Sequence, residues 1–239
     1  MDETTLLLFD IDGTLLLRAT REHREALHDG IREVYGVDDP SRVDVMAGGR
    51  TDLEIARHIL LGLGVTARRI DDGLRDLRIA ATEAFARRCP ADLSSTVAPG
   101  MSALLDRLAA RPDLRLSLVT GNLEPIAWLK LKRAGLGHRF ERGQGGFGSD
   151  HEDRTELPAI ARRRAGNGRT PHPPERTVII GDTPRDIACA RADGARVVAI
   201  TTGPFSAEEL RGADAVVDDA PGIERALGYA KAGDGGPQP

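Results

Sequence analysis

Five short apolar runs, each closed by turn residues, constrain this chain more than any other feature. Leu6–Phe9, Leu114–Thr120, Thr177–Gly181, Arg196–Thr201 and Asp214–Val217 are rich in Val, Ile and Leu, as expected of strands buried on both faces. Helical patterns lie among them at Pro99–Ala110, Glu124–Ala134, Arg154–Arg164 and Pro184–Asp193. That alternation predicts an α/β fold, a doubly wound, mostly parallel sheet with helices on both faces.

Residues 18–95 break the pattern. They contain no convincing strand and three helical segments, the third being Ala67–Arg88. In it Ile70, Leu74, Leu77, Ala81 and Phe85 recur at three- and four-residue spacing, one apolar stripe on a charged helix. The expected organisation is a core of residues 1–17 and 96–231, a small all-helical cap of residues 18–95 and a disordered tail of residues 232–239. The Gly- and Pro-rich stretch Ala165–Glu175 reads as a surface loop.

Composition excludes several classes of partner. A net charge of −4 with 3% aromatic residues supplies neither the basic field nor the stacking surface that nucleic acid requires. The first apolar run is four residues long and follows acids, so neither a signal peptide nor a membrane span is expected, and a cytoplasmic location is. Cys89 and Cys189 stand far apart without metal-ligand spacing and read as reduced side chains. Only three of the 33 basic residues are lysines, Lys130, Lys132 and Lys231.

The polar residues that matter close three of the apolar runs. Leu6–Phe9 leads into Asp10-Ile11-Asp12-Gly13-Thr14. A strand's period of two puts Asp10 and Asp12 on the same face, and their mutual repulsion calls for a cation or a shared proton. An Asp-rich turn is the bland alternative. Thr120-Gly121-Asn122 places a hydroxyl, a glycine and an amide ahead of a helix, which suits either an anionic ligand or simple capping. Gly181-Asp182-Thr183-Pro184-Arg185-Asp186 adds two acids, which either cap a helix or help hold a hard cation such as Mg²⁺.

In this order and strand context, DIDGT, LVTGN and IIGDTPRD resemble the haloacid dehalogenase superfamily over nearly the whole chain, in particular its phosphoglycolate phosphatase and beta-phosphoglucomutase-like branch, with a helical cap after the first strand. The resemblance implies a Rossmann-like core. It also implies a Mg²⁺-dependent phosphatase that acts on a small phosphorylated metabolite through an aspartyl phosphate. Asp10 would be the nucleophile and Asp12 the general acid and base. Asp10, the main-chain carbonyl of Asp12 and Asp182 would hold Mg²⁺, with Asp186 anchoring waters or the neighbouring cation. Thr120, Gly121 and Asn122 would hold the phosphoryl oxygens. The family lysine that precedes the last motif is missing, and Arg154, which opens the helix in its interval, is expected to take over its charge-balancing role.

The same resemblance leaves other chemistries to weigh. Asp12 disfavours dehalogenation, and the absence of lysine between residues 18 and 95 closes the Schiff-base route to phosphonates. A phosphosugar mutase and a non-catalytic phosphate-binding protein remain as alternatives, in a monomer or a homodimer. Arg50 and Thr51, in a Gly-rich cap turn, are the candidates for substrate contact, although Thr51 suits a helix cap equally well. His23, flanked by Glu22 and Arg24, reads as part of a solvated face, and Trp128 as packing.

Overall fold

The computed structural model describes residues 4–166 and 170–229; the expected tail, residues 1–3, 230 and 231 of the expected core and part of the expected loop lie outside them. Six parallel strands form one sheet in the order β3-β2-β1-β4-β5-β6. They are β1 (Thr5–Phe9), β2 (Leu114–Thr120), β3 (Gly146–Phe147), β4 (Thr177–Gly181), β5 (Arg196–Ile200) and β6 (Ala215–Val217). The expected strands match β1, β2, β4, β5 and β6 to within a residue. The two-residue β3 carries too little sequence to be recognised.

Side chains leave the strands alternately, as the pleat requires. Leu6 and Leu8 of β1, Ile179 of β4 and Val197 of β5 pack with Leu157, Ala161, Cys189 and Ala190 on one face. Those residues belong to α6 (Leu157–Ala165) and α7 (Pro184–Asp193). Leu7, Phe9, Val178, Ile180 and Val198 face the opposite way, toward α4 (Met101–Ala109), α5 (Glu124–Arg133) and α8 (Ala220–Ala226). The fold is therefore the expected Rossmann-like arrangement with helices flanking a parallel sheet.

Between β1 and α4 the chain forms α1 (Arg21–Tyr35), α2 (Asp52–Gly62) and α3 (Ala67–Arg88). Four of the five stripe residues of α3 are fully buried and Leu74 packs at the edge. Helices α1 and α3 approach so closely that a Cβ on Gly30 would lie 2.8 Å from the backbone nitrogen of Ala81. The two crossings between these helices and the sheet run side by side, with Leu17 N–H donating to Thr96 O at 2.7 Å.

Strand order fixes where a ligand goes. From central β1 the chain moves first to β2 on one side and later to β4 on the other, so a crevice opens at the carboxyl ends of these three strands. Asp10, Thr120 and Asp182 stand at those ends.

Candidate active site

Strand β1 stops at Phe9, and Asp10 follows with its N–H bonded to Ile180 O at 2.9 Å, which ties it to β4. Its carboxylate is buried and shares a cluster with those of Asp182 and Asp186, one oxygen from each lying within 4.8 Å of the others. Gly13, at φ +92°, lets the chain turn over this cluster. A Cβ there would sit 2.2 Å from Asp182 Oδ2.

Asp12 does not join the cluster. The backbone has already left the strand and turned, since Leu15 and Leu16 both donate to Ile11 O, so the period of two does not carry from Asp10 to Asp12. The Asp12 carboxylate faces Lys130 instead. The ammonium donates to Asp12 Oδ1 at 2.8 Å and to Oδ2 at 2.6 Å, and Asn122 Nδ2 adds a bond to Oδ2 at 2.8 Å. Burial raises the carboxyl pKa of Asp12, but the charge of Lys130 and the hydrogen bonds from Lys130 and Asn122 outweigh it and hold the group below its ordinary value.

The cluster of three has the opposite electrostatics. Burial, opposed by Arg154 and reinforced by Asp186 and Asp12, pushes Asp10 up to about 6. Burial together with Asp10 and Asp186 pushes Asp182 up to about 8, with Thr14 Oγ1 donating to its Oδ1 at 3.1 Å. Such carboxyls are short of positive charge, and this donor set suits a divalent cation that prefers oxygen. Asp186 is the most committed of the three. Its Oδ1 accepts from Arg154 at 2.6 Å, and its Oδ2 accepts from the N–H and hydroxyl of Thr183 in the capping box that opens α7.

Arg154 comes to the site from a 3-10 turn at Arg154–Glu156, just before α6. Its guanidinium is buried, with Nη2 3.1 Å from Asp10 Oδ1 as well as 2.6 Å from Asp186. The neighbouring carboxylates hold it charged against the penalty of burial. Its Nε is buried without a hydrogen-bond partner among the described residues.

At the end of β2, Thr120 is fully buried and its Oγ1 accepts from Asn122 N–H at 3.3 Å. Gly121 is required by a close approach. A Cβ there would lie 2.0 Å from Arg50 O, and its own carbonyl accepts from Asp52 N–H at 2.8 Å. Thr120, Gly121 and Asn122 line a cavity of about 550 Å³ together with Asp10, Asp12 and Arg154. Leu17, Leu27 and Ile55 supply apolar wall from the other side.

The structure corrects several expectations. Thr51 does not face the cavity: its hydroxyl caps α2 by accepting from Glu54 N–H at 3.1 Å and donates to Glu152 O at 2.6 Å. Arg50 lines the cavity, but its guanidinium is paired with Glu54 and bonded to Met46 O. His23 is buried, not solvated, because Phe85 packs edge-on against its ring and both its nitrogens are engaged. Trp128, by contrast, packs as expected, with its ring centroid 6.4 Å from that of Phe147.

Three polar residues escaped the sequence reading: Lys130 and Asp52, and His23 in its buried role. The available signal was a lysine in the apolar context of Ile126, Ala127 and Leu131 of α5, in a chain almost without lysine.

Residues 7–191 match the haloacid dehalogenase-like hydrolase family. The chain belongs to that family. It is 31% identical over 238 residues to the phosphoglycolate phosphatase of Rhodospirillum rubrum, covering 95% of this chain and 92% of that protein. Together these make it an enzyme of the family's phosphatase kind. Solved structures share the fold. A predicted phosphoglycolate phosphatase from Haemophilus somnus superposes with a TM-score of 0.64 at 20% identity, covering 95% of this chain and 99% of that one. A beta-phosphoglucomutase from Clostridium difficile gives 0.67 at 15% identity, covering 94% and 97%. Among the described residues, no helix is long and apolar enough to cross a membrane.

Proposed function

We propose that this phosphatase hydrolyses a small phosphorylated metabolite through a phosphoryl-enzyme formed on Asp10. The observation that carries the reading is the position of Asp10, which lines the cavity between an acidic cluster and the buried Arg154, beside the Thr120 turn.

In the first half-reaction a carboxylate oxygen of Asp10 attacks phosphorus. The bond to the leaving oxygen breaks and its electron pair stays with that oxygen; Asp12, which Lys130 keeps ionised at rest, takes up a proton from solvent or the substrate monoanion and passes it on to complete the alcohol. In the second half Asp12 takes a proton from water, the water oxygen bonds to phosphorus, and the acyl-phosphate bond returns its electrons to Asp10. The net change is ester plus water to alcohol plus phosphate. Thr120 and the N–H groups of the following turn hold the phosphoryl oxygens, and Arg154 balances the added charge.

Mg²⁺ fits the donor set, with Asp10, Asp182 and the main-chain carbonyl of Asp12 holding it and Asp186 adding negative charge alongside. When bound, the ion neutralises charge on the carboxylates and the phosphoryl group. Helices α1–α3 act as a cap whose position controls entry of substrate and exclusion of water, and the paired crossings at Leu17 and Thr96 serve as the hinge.

A cavity of about 550 Å³ suits a small metabolite. The Rhodospirillum rubrum relative makes 2-phosphoglycolate the first substrate to try. A panel of phosphorylated two-carbon acids, sugars and nucleotides, assayed for phosphate release with Mg²⁺ and with a chelator, tests the reading. Metal-dependent release from at least one small ester is expected. No release from any of them would refute it.

A further inference from the structure

Lys130 is fully buried, and every contact of its ammonium is accounted for. It donates to both oxygens of Asp12 and to Nδ1 of His23 at 3.0 Å. An ammonium has no lone pair, so Nδ1 is the acceptor, and the ring proton sits on Nε2. From there it is donated to Asp52 Oδ2 at 3.0 Å. The same Asp52 oxygen accepts from Leu123 N–H at 2.7 Å, at the start of the helix that carries Lys130. The chain Asp52, His23, Lys130, Asp12 thus has one consistent set of donors and acceptors. It leaves α5 at one end and returns to it.

Two features separate this chain from ordinary packing. A fully buried lysine is costly unless paired, and an apolar residue could fill the same space against Phe85, whose ring lies 5.9 Å from the ammonium. Its partner is the one acid of the DIDGT segment that stays out of the acidic cluster.

Resting on the phosphatase reading above, we infer that Lys130 is a positioning residue: it fixes the Asp12 carboxylate where the leaving oxygen departs, and the His23–Asp52 pair braces Lys130 in turn. With Lys130 absent, Asp12 keeps only the Asn122 bond and can swing toward the acidic cluster or into the cavity.

The test compares phenyl phosphate with p-nitrophenyl phosphate, which are similar in shape but differ in the need for a proton on the leaving oxygen. Single-turnover release of the phenol is measured with Mg²⁺ for the wild type, Lys130→Met and His23→Asn. For Lys130→Met, release from phenyl phosphate should fall at least about tenfold while release from p-nitrophenyl phosphate stays within about threefold, with KM little changed. His23→Asn should show the same selectivity to a smaller degree, and it carries the test alone if Lys130→Met does not fold. An equal loss on both esters, or no loss, would overturn the inference. If the wild type releases neither phenol nor nitrophenol and hydrolyses none of the metabolite panel, the phosphatase reading fails and the inference with it.

Discussion

Arg154 and Asp186 form a buried ion pair, with Nη2 of the arginine 2.6 Å from Oδ1 of the aspartate. The same nitrogen is 3.1 Å from Asp10, so one guanidinium spans two of the three clustered carboxylates. Both contacts run through one nitrogen, so an ammonium brought to the same point could make them, and the difference from lysine lies in reach and in the delocalised charge of the guanidinium.

Arg154→Ala should lower kcat/KM by at least about tenfold, roughly 1.4 kcal/mol of transition-state stabilisation. It should also destabilise the metal-free protein, because removing one partner of a buried pair costs about 3–5 kcal/mol. Arg154→Lys should recover part of both losses. Steady-state kinetics and denaturant unfolding check this, and an alanine variant with undiminished turnover would assign the cationic role elsewhere.

Much of this arrangement was legible in the sequence because it depends on order along the chain. Strand runs and their terminal motifs located Asp10, Thr120 and Asp182, and the interval before the last motif located Arg154. What escaped depends on contacts between elements distant in sequence. His23 meets Lys130 across 107 residues and Asp52 meets Leu123 across 71, and no local pattern announces such meetings. The shared face of Asp10 and Asp12 failed for a local reason: the strand had already ended. Thr51 failed because a cap and a ligand contact use the same hydroxyl.

The acidic cluster sets the pH dependence of the metal-free protein. Asp182 rises from 3.8 to about 8 on folding, so the native state holds a proton that the unfolded chain has released, and stability falls as pH rises toward 8. Asp10 adds the same sign up to about 6. His28, lowered by burial, acts with the opposite sign but has contributed fully once pH exceeds about 6.5. Between pH 7 and 8 in chelator, Tm should therefore fall, and saturating Mg²⁺ should remove the slope. A flat profile in chelator would contradict the raised pKa of Asp182.

Gly121 tests the contact between the two sides of the cavity. Its added methyl in Gly121→Ala would meet Arg50 O, so the Ala47–Asp52 segment must retreat and the Asp52–Gly121 bond must lengthen. A stability loss of about 1–3 kcal/mol is expected. We expect kcat/KM to fall at least about tenfold, read by the same kinetic assay. Unchanged kinetics would mean that this approach is not needed for turnover.

The central claim is that Asp10 carries the phosphoryl group. Rapid quenching with radiolabelled substrate, followed by peptide mapping, locates the label directly. In the wild type it should appear on the peptide containing Asp10, and Asp12→Asn should not break it down quickly. Asp10→Asn should bind no label and retain less than about a hundredth of wild-type turnover, since loss of a nucleophile removes a step that nothing else performs. Label on another residue, or an Asp10→Asn enzyme above that level, would contradict the account.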